Sequence, residues 1–129
     1  MKRILTVMMF LTVLLCTAGY VRAEQNIGGV WRETSTGDIK NSIVIVSQSG
    51  TALTVVSSWE YRGGQILWQG SGSISGRKVV YQIRHTMYPP GWGVEGTHKL
   101  DVSADGRSMT GVWTNAKGES GPLKFEKVR

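Results

Sequence analysis

Cysteine is nearly absent from this chain of 129 residues, which contains only Cys16. One cysteine cannot form an intramolecular disulfide, so the chain is not a disulfide-stabilised scaffold. Long runs of one charge are also missing, and the dispersed Lys and Arg residues form no basic stripe that could track phosphates. The sequence therefore predicts no nucleic-acid partner, although the formal net charge is +6.

Catalytic and metal-binding motifs are missing as well. G-x-S-x-G does not occur, and the two histidines, His85 and His98, lack the H-x-H or H-E-x-x-H spacing of metal sites. Residues 91–96 match the dinucleotide pattern G-x-G-x-x-G. We reject this match because Pro-Pro precedes it and a strand-like run, rather than a helix, follows it. We expect no catalytic residues, no metal and no cofactor.

Residues 1–23 have the layout of a secretory signal peptide. Two basic residues are followed by an uncharged apolar stretch over 4–20, and small residues precede a cleavage point at Glu24. The alternatives are an uncleaved membrane anchor, for which the stretch is slightly short, and a lipoprotein, for which Leu15 before Cys16 is unfavourable. Cleavage would leave a cysteine-free domain, 24–129, with a net charge of +3 and no transmembrane anchor. We expect it to be secreted or periplasmic.

The remaining chain reads as short alternating runs separated by Gly, Ser, Asn and Asp, with no sustained helical period. Pairs such as Asp105-Gly106 and Gly63-Gly64 suit tight hairpin turns, which favour pairing of each strand with its predecessor. We predict one all-β domain, an eight-stranded antiparallel up-and-down barrel. Its strands are expected at Gly28–Glu33, Ser42–Gln48, Ala52–Tyr61, Gln65–Ile74, Lys78–His85, Glu95–Ser103, Arg107–Thr114 and Pro122–Val128.

Alternation along these strands assigns side chains to the barrel interior. Leu53, Val55, Ser57 and Trp59 share one such face, and residues 66, 68, 70, 72 and 74 share another. Two glycines within the second set, Gly70 and Gly72, predict sharp coiling or close packing under a bulky neighbour.

Tryptophan is the unusual component, with five residues in a short domain. These rings either fill the interior or line a cavity in which planar or apolar ligands stack. On the second interpretation the ligand-binding residues are Trp31, Trp59, Trp68, Tyr81, Tyr88, Trp92 and Trp113, with His85 as a polar group at the mouth.

The longest irregular connection covers residues 86–93 and contains Pro-Pro-Gly. Proline cannot continue a strand, so we expect a stiff loop at one barrel end that carries exposed aromatic rings, Tyr88 and Trp92. Such rings could cap a cavity or anchor a protein partner.

Gly29-Val30-Trp31 opens the first strand, and Gly111-Val112-Trp113 repeats the pattern in the seventh. A Gly-x-Trp in the first strand of an antiparallel meander resembles the calycin group, the lipocalin-like and avidin-like barrels. The resemblance implies a small, often hydrophobic, ligand inside the barrel, with Trp31 packed across one end. The lipocalin Thr-Asp-Tyr motif and the polar biotin-binding set of avidins have no counterpart in this chain.

These patterns predict an exported, non-enzymatic β-barrel that binds a small hydrophobic or aromatic ligand in its interior or mouth. One alternative is a protein-interaction module, such as an inhibitor of an exported hydrolase, that inserts the 86–93 loop into its partner. The other is a hydrolase that pairs His85 or His98 with a nearby carboxylate.

Overall fold

The computed structural model describes residues 25–128, and the expected signal peptide, 1–23, lies outside the described residues. Eight strands account for most of the described chain. They are β1 (Gly29–Glu33), β2 (Ile39–Ser49), β3 (Ala52–Tyr61), β4 (Gly64–Ser75), β5 (Lys78–Met87), β6 (Glu95–Val102), β7 (Ser108–Asn115) and β8 (Ser120–Lys127).

Each strand pairs antiparallel with its predecessor, and β1 also pairs antiparallel with β8 to close the barrel. The all-β fold and the up-and-down order predicted from the hairpin turns are therefore confirmed. An eight-stranded closed barrel is compatible with a calycin-like fold. Within residues 25–128 there is no helix long and apolar enough to cross a membrane.

The largest difference from the predicted strands is at the start of β2, which begins at Ile39 rather than Ser42. The β2–β3 register shifts between Lys40 and Ile43, and Asn41 lies between them with a φ of 51°. A bulge of this kind breaks the period-2 alternation by which a strand is recognised. The sequence pattern therefore marks only the regular part of β2.

The interior faces agree with the predicted alternation, and Gly70 and Gly72 have the close-packing role expected of them. A Cβ on Gly70 would lie 3.1 Å from Tyr81 Cδ2 and 2.8 Å from the Gln82 carbonyl oxygen. A Cβ on Gly72 would collide with the Val80 carbonyl oxygen. These two glycines let β5 press against β4 and bring the Tyr81 side chain inside the barrel.

The end of the barrel near Ile27 is filled by the hydrophobic core. Trp31 and Phe125 are completely buried, and the Trp31 indole Nε1 donates a hydrogen bond of 2.8 Å to the Ile27 carbonyl oxygen. Ile74, Val79 and other aliphatic side chains pack around them. The opposite end, where the β1–β2, β3–β4, β5–β6 and β7–β8 connections lie, is built differently and contains the candidate site.

Candidate functional site

A cavity of about 470 Å³ occupies the second end of the barrel and opens between the β1–β2, β5–β6 and β7–β8 loops. We call this opening the mouth. Gly96 and Gly121 take two lining positions, on β6 and β8, where other residues would project a side chain. The barrel is thus packed in one half and hollow in the other.

Aromatic rings form one wall of the cavity. Trp59 and Tyr61 follow each other on the inner face of β3, and Trp92 from the β5–β6 loop packs on both. The ring centroids of Trp92 lie 6.0 Å from Trp59 and 5.3 Å from Tyr61. Aromatic side chains at these separations pack favourably and present apolar faces to the enclosed space.

A second aromatic group lies deeper in the barrel. Trp68 stacks on Tyr81 with centroids 6.0 Å apart, and the His98 imidazole meets the Trp68 ring edge-on at 5.0 Å. The Tyr81 hydroxyl and His98 Nδ1 share a hydrogen bond of 2.9 Å. Burial lowers the pKa of His98 to about 3 and raises that of Tyr81 well above 10.0. Both groups are therefore neutral at physiological pH.

Glu33 is the buried carboxylate of the site. It stands two residues after Trp31 on β1, so alternation directs it inward, and its side chain lines the cavity with 7% of the residue exposed. Ser35 Oγ donates a hydrogen bond of 3.1 Å to its Oε1 atom. Burial raises the pKa of Glu33 from 4.5 to about 7, and the Ser35 hydrogen bond only partly opposes this.

The β5–β6 loop is held in place by hydrogen bonds around His85. The His85 amide donates to the Val94 carbonyl at 2.7 Å, and His85 Nδ1 lies 3.1 Å from the Gly93 carbonyl oxygen. Burial lowers the pKa of His85, although these backbone contacts partly oppose the shift. The Trp92 amide donates to the Pro89 carbonyl at 3.3 Å, which closes the turn that directs Trp92 toward the cavity.

Trp59 and Trp113 contribute indole groups with different surroundings. Trp59 Nε1 is fully enclosed and has no hydrogen-bond partner among residues 25–128, although such donors normally find one. The Trp113 ring packs closely on β8, where a Cβ at Gly121 would come within 2.6 Å of its Nε1. The two rings contribute apolar surface to the cavity lining.

The structure brings five of the eight residues expected to bind ligand into the cavity lining, namely Trp59, Trp68, His85, Trp92 and Trp113. Tyr81 lies directly beneath Trp68, outside the lining. Trp31 packs toward the opposite end and does not border the cavity. Tyr88 is 37% exposed on the loop, with its ring 5.9 Å from His85.

The expectation that Trp92 is exposed at a loop tip is wrong. Its ring is partly buried against the core and contacts Trp59, Tyr61 and His85. The loop folds back over the mouth because Pro89 and Gly91, which has a φ of 87°, turn the chain toward the barrel. Trp92 acts as a partial cover of the cavity.

Glu33 and Tyr61 line the cavity although neither is among the residues predicted to bind ligand, and His98 lines it although it is predicted only as a possible hydrolase residue. The alternation that placed Trp31 and Trp59 inside would have placed Glu33 and Tyr61 inside as well, if it had been extended by two residues. A carboxylate at a strand end is more often solvated, so residue type alone predicts an exposed Glu33.

The two imidazoles of the site are poorly placed for nucleophilic catalysis. Among the hydrogen bonds of residues 25–128, neither imidazole meets a Ser or Thr hydroxyl that it could activate. His98, with a pKa of about 3, is a weak base at neutral pH. The described part of the chain contains no cluster of three or more His, Cys, Asp or Glu side chains able to hold a metal ion.

Comparison with known proteins identifies no relative. No family model matches the chain, and no curated protein or solved structure gives a significant match to it. The function must therefore be argued from the cavity.

Proposed function

We propose that this protein is an exported, non-enzymatic barrel that holds a small apolar or aromatic ligand in its open half, a role similar to that of lipocalin-like proteins. The observation that carries the proposal is the 470 Å³ cavity lined by Trp59, Tyr61, Trp68, Trp92 and Trp113. Ligand pockets of about 300–1,000 Å³ are mostly apolar and contain a few placed polar groups, which describes this cavity. Export rests on the signal-like segment 1–23.

The cavity also contains a buried polar group that can orient a ligand. Glu33 lines the cavity, and burial raises the pKa of its carboxyl to about 7, so the protonated and ionised forms both occur near neutral pH. The carboxyl group can therefore donate a hydrogen bond to a ligand or accept one from it.

The inhibitor alternative draws less support from the structure. It needs the 86–93 loop to project from the barrel, whereas Trp92 is turned inward against Trp59 and Tyr61. A protein partner would meet Met87 and Tyr88, which are 49% and 37% exposed.

Filling the mouth with one large side chain tests the proposal. The probe is N-phenyl-1-naphthylamine, a neutral dye that fluoresces in apolar surroundings. Ile39 lines the cavity, whereas Ile43 on the same strand is 53% exposed on the outer wall. We expect Ile39→Trp to weaken dye binding by about tenfold or more, because the indole would occupy ligand space. The matched control Ile43→Trp should bind as the unaltered protein does.

Two results would contradict the proposal. One is a dye that does not bind the unaltered protein at all. The other is equal dye affinity in Ile39→Trp and Ile43→Trp when both remain folded by circular dichroism, because binding would then lie outside the cavity.

A further inference from the structure

The charged residues that line the cavity are all acidic. Glu33, Glu95 and Glu119 border it, and among residues 25–128 no Lys or Arg does so. This is the reverse of residues 24–129 as a whole, which have 12 Lys and Arg against 9 Asp and Glu. A basic protein therefore has an acidic cavity, which favours entry of a cation over an anion.

Glu33 is the most buried of these carboxylates and forms no ion pair with any residue of 25–128. Glu95 is exposed at the mouth and forms a salt bridge of 2.7 Å with Arg84. Glu33 has only the Ser35 hydroxyl, and no ion pair involves it within the described chain. An ionised carboxylate buried without a counter-charge is unfavourable, so a cation brought into the cavity would stabilise it.

The aromatic rings of the lining add a second attraction for cations. Positive charge is drawn to the face of an aromatic ring, most strongly to that of Trp. Four Trp rings and Tyr61 border the cavity. Arg62, in the β3–β4 turn at the open end of the barrel, already makes such a contact, with its guanidinium carbon 5.1 Å from the Tyr61 ring centroid.

Among the described residues, the other titratable groups that line the cavity with Glu33 supply no positive charge, and the nearby Arg84 is paired with Glu95. Burial lowers the pKa of both His85 and His98, so both imidazoles are neutral near pH 7 and above. Tyr81 from β5 is also neutral, because burial raises its pKa. Glu119 in the β7–β8 turn is a further acid at the mouth.

We propose that the ligand of this cavity is an organic ammonium ion, a protonated or quaternary amine that carries an apolar or aromatic group. Its cationic nitrogen would lie against Glu33 and the tryptophan faces, and its apolar part would fill the remaining space. This inference rests on the proposed function, since it names the chemical class of ligand for the same cavity.

Three probes that share a naphthalene ring and differ in charge separate the two proposals. They are the permanent cation trimethyl(naphthalen-1-ylmethyl)ammonium, the neutral 1-naphthalenemethanol and the anion 1-naphthoate, titrated by calorimetry at pH 8.5. We expect the cation to bind at least tenfold more tightly than the alcohol, and the naphthoate to bind most weakly. Equal or tighter binding of the alcohol or the naphthoate would overturn the ammonium inference and leave the cavity function standing. Failure of all three probes to bind would overturn both.

The role of Glu33 is tested by Glu33→Gln, which keeps the shape and removes the charge. Cation affinity should fall about tenfold or more, while affinity for the alcohol stays within about twofold. Glu126→Gln on the outer wall is the matched control and should change neither value. Unchanged cation affinity in Glu33→Gln would contradict the inference.

The pH dependence of the unaltered protein gives a test that needs no variant. Below the Glu33 pKa of about 7, protons compete with the cation, so its affinity should fall about tenfold per pH unit. The charge of the quaternary probe does not change with pH, and alcohol binding should stay constant. A cation affinity that is equal at pH 8.5 and 5.5 would refute the role of Glu33, even if Glu33→Gln failed to fold.

Discussion

Replacing Glu33 with Gln should remove a loss of stability that the unaltered protein undergoes as the pH rises. In the folded protein, burial raises the pKa of this carboxyl from 4.5 to about 7. Folding therefore favours the protonated form. The stability that Glu33 contributes is fully present below pH 4.5 and is lost as the pH rises through about 7, where the folded protein must bury a charge. Gln has no proton to lose, so the variant avoids this loss.

The raised pKa determines the size of the effect. Each unit of pKa difference between the folded and unfolded states corresponds to about 1.4 kcal/mol. The change from 4.5 to about 7 therefore corresponds to roughly 3 kcal/mol of unfolding free energy lost between pH 4.5 and 8. Glu33 is 7% exposed, so solvent screening reduces this value little.

His98 acts in the opposite direction and has to be separated from Glu33. Its pKa is lowered from 6.5 to about 3, so the stability it contributes is present above pH 6.5 and is lost as the pH falls toward 3. In the unaltered protein the two groups largely offset each other between pH 4.5 and 6.5. Subtracting the Glu33→Gln curve from that of the unaltered protein cancels the histidine contribution.

Urea denaturation followed by tryptophan fluorescence measures this difference at pH 4.5, 5.5, 6.5, 7.5 and 8.5. We expect the free energy of unfolding of the unaltered protein, minus that of Glu33→Gln, to fall by roughly 3 kcal/mol across the series. Glu126→Gln should show no such trend, because its side chain is 53% exposed and its salt bridge with Lys124 lies at the surface. A difference that stays constant with pH would refute the reasoning, since Glu33 would then titrate as a solvated carboxyl does.

Two further predictions concern the packed half of the barrel. Gly111→Ala should lower the free energy of unfolding by about 2 kcal/mol or more, because its Cβ would collide with the Lys99 carbonyl oxygen. Gly37→Ala is the control, because a Cβ there has nothing within 4 Å, and its free energy of unfolding should stay within about 0.5 kcal/mol of the unaltered protein. Equal urea midpoints for the two variants would contradict the close approach of Gly111 to the Lys99 backbone. Trp31→Phe should cost about 2 kcal/mol through the lost Ile27 hydrogen bond and packing, without changing dye affinity. A loss of dye affinity would show that the cavity reaches Trp31.

The local pattern was sufficient for the strands and their order because both depend on neighbours in the chain. Alternating apolar residues mark each strand, and turns such as Asp105-Gly106 pair it with its predecessor. The start of β2 at Ile39 was not predicted, because the bulge near Asn41 interrupts the alternation.

The site was predictable only in part. Trp59, Trp68 and Trp113 could be placed inside, because each lies in phase with apolar neighbours on its strand. Alternation from Trp31 is enough to place Glu33 on the inner face, but the burial that raises its pKa is made by distant strands and could not be predicted. Trp92 turns inward because Trp59 and Tyr61 provide a surface on which it packs. The sequence of the loop does not show where those two rings lie.

The sequence determined that this domain is a barrel of eight sequential strands with tryptophans on its inner face, since alternation and tight turns act over a few residues. Only the tertiary structure decided that one half is packed and the other hollow, and that Glu33 lines the same cavity as the aromatic rings, with no counter-charge among residues 25–128. Pairing of β1 with β8 closes the barrel around Glu33, and this burial raises the Glu33 pKa.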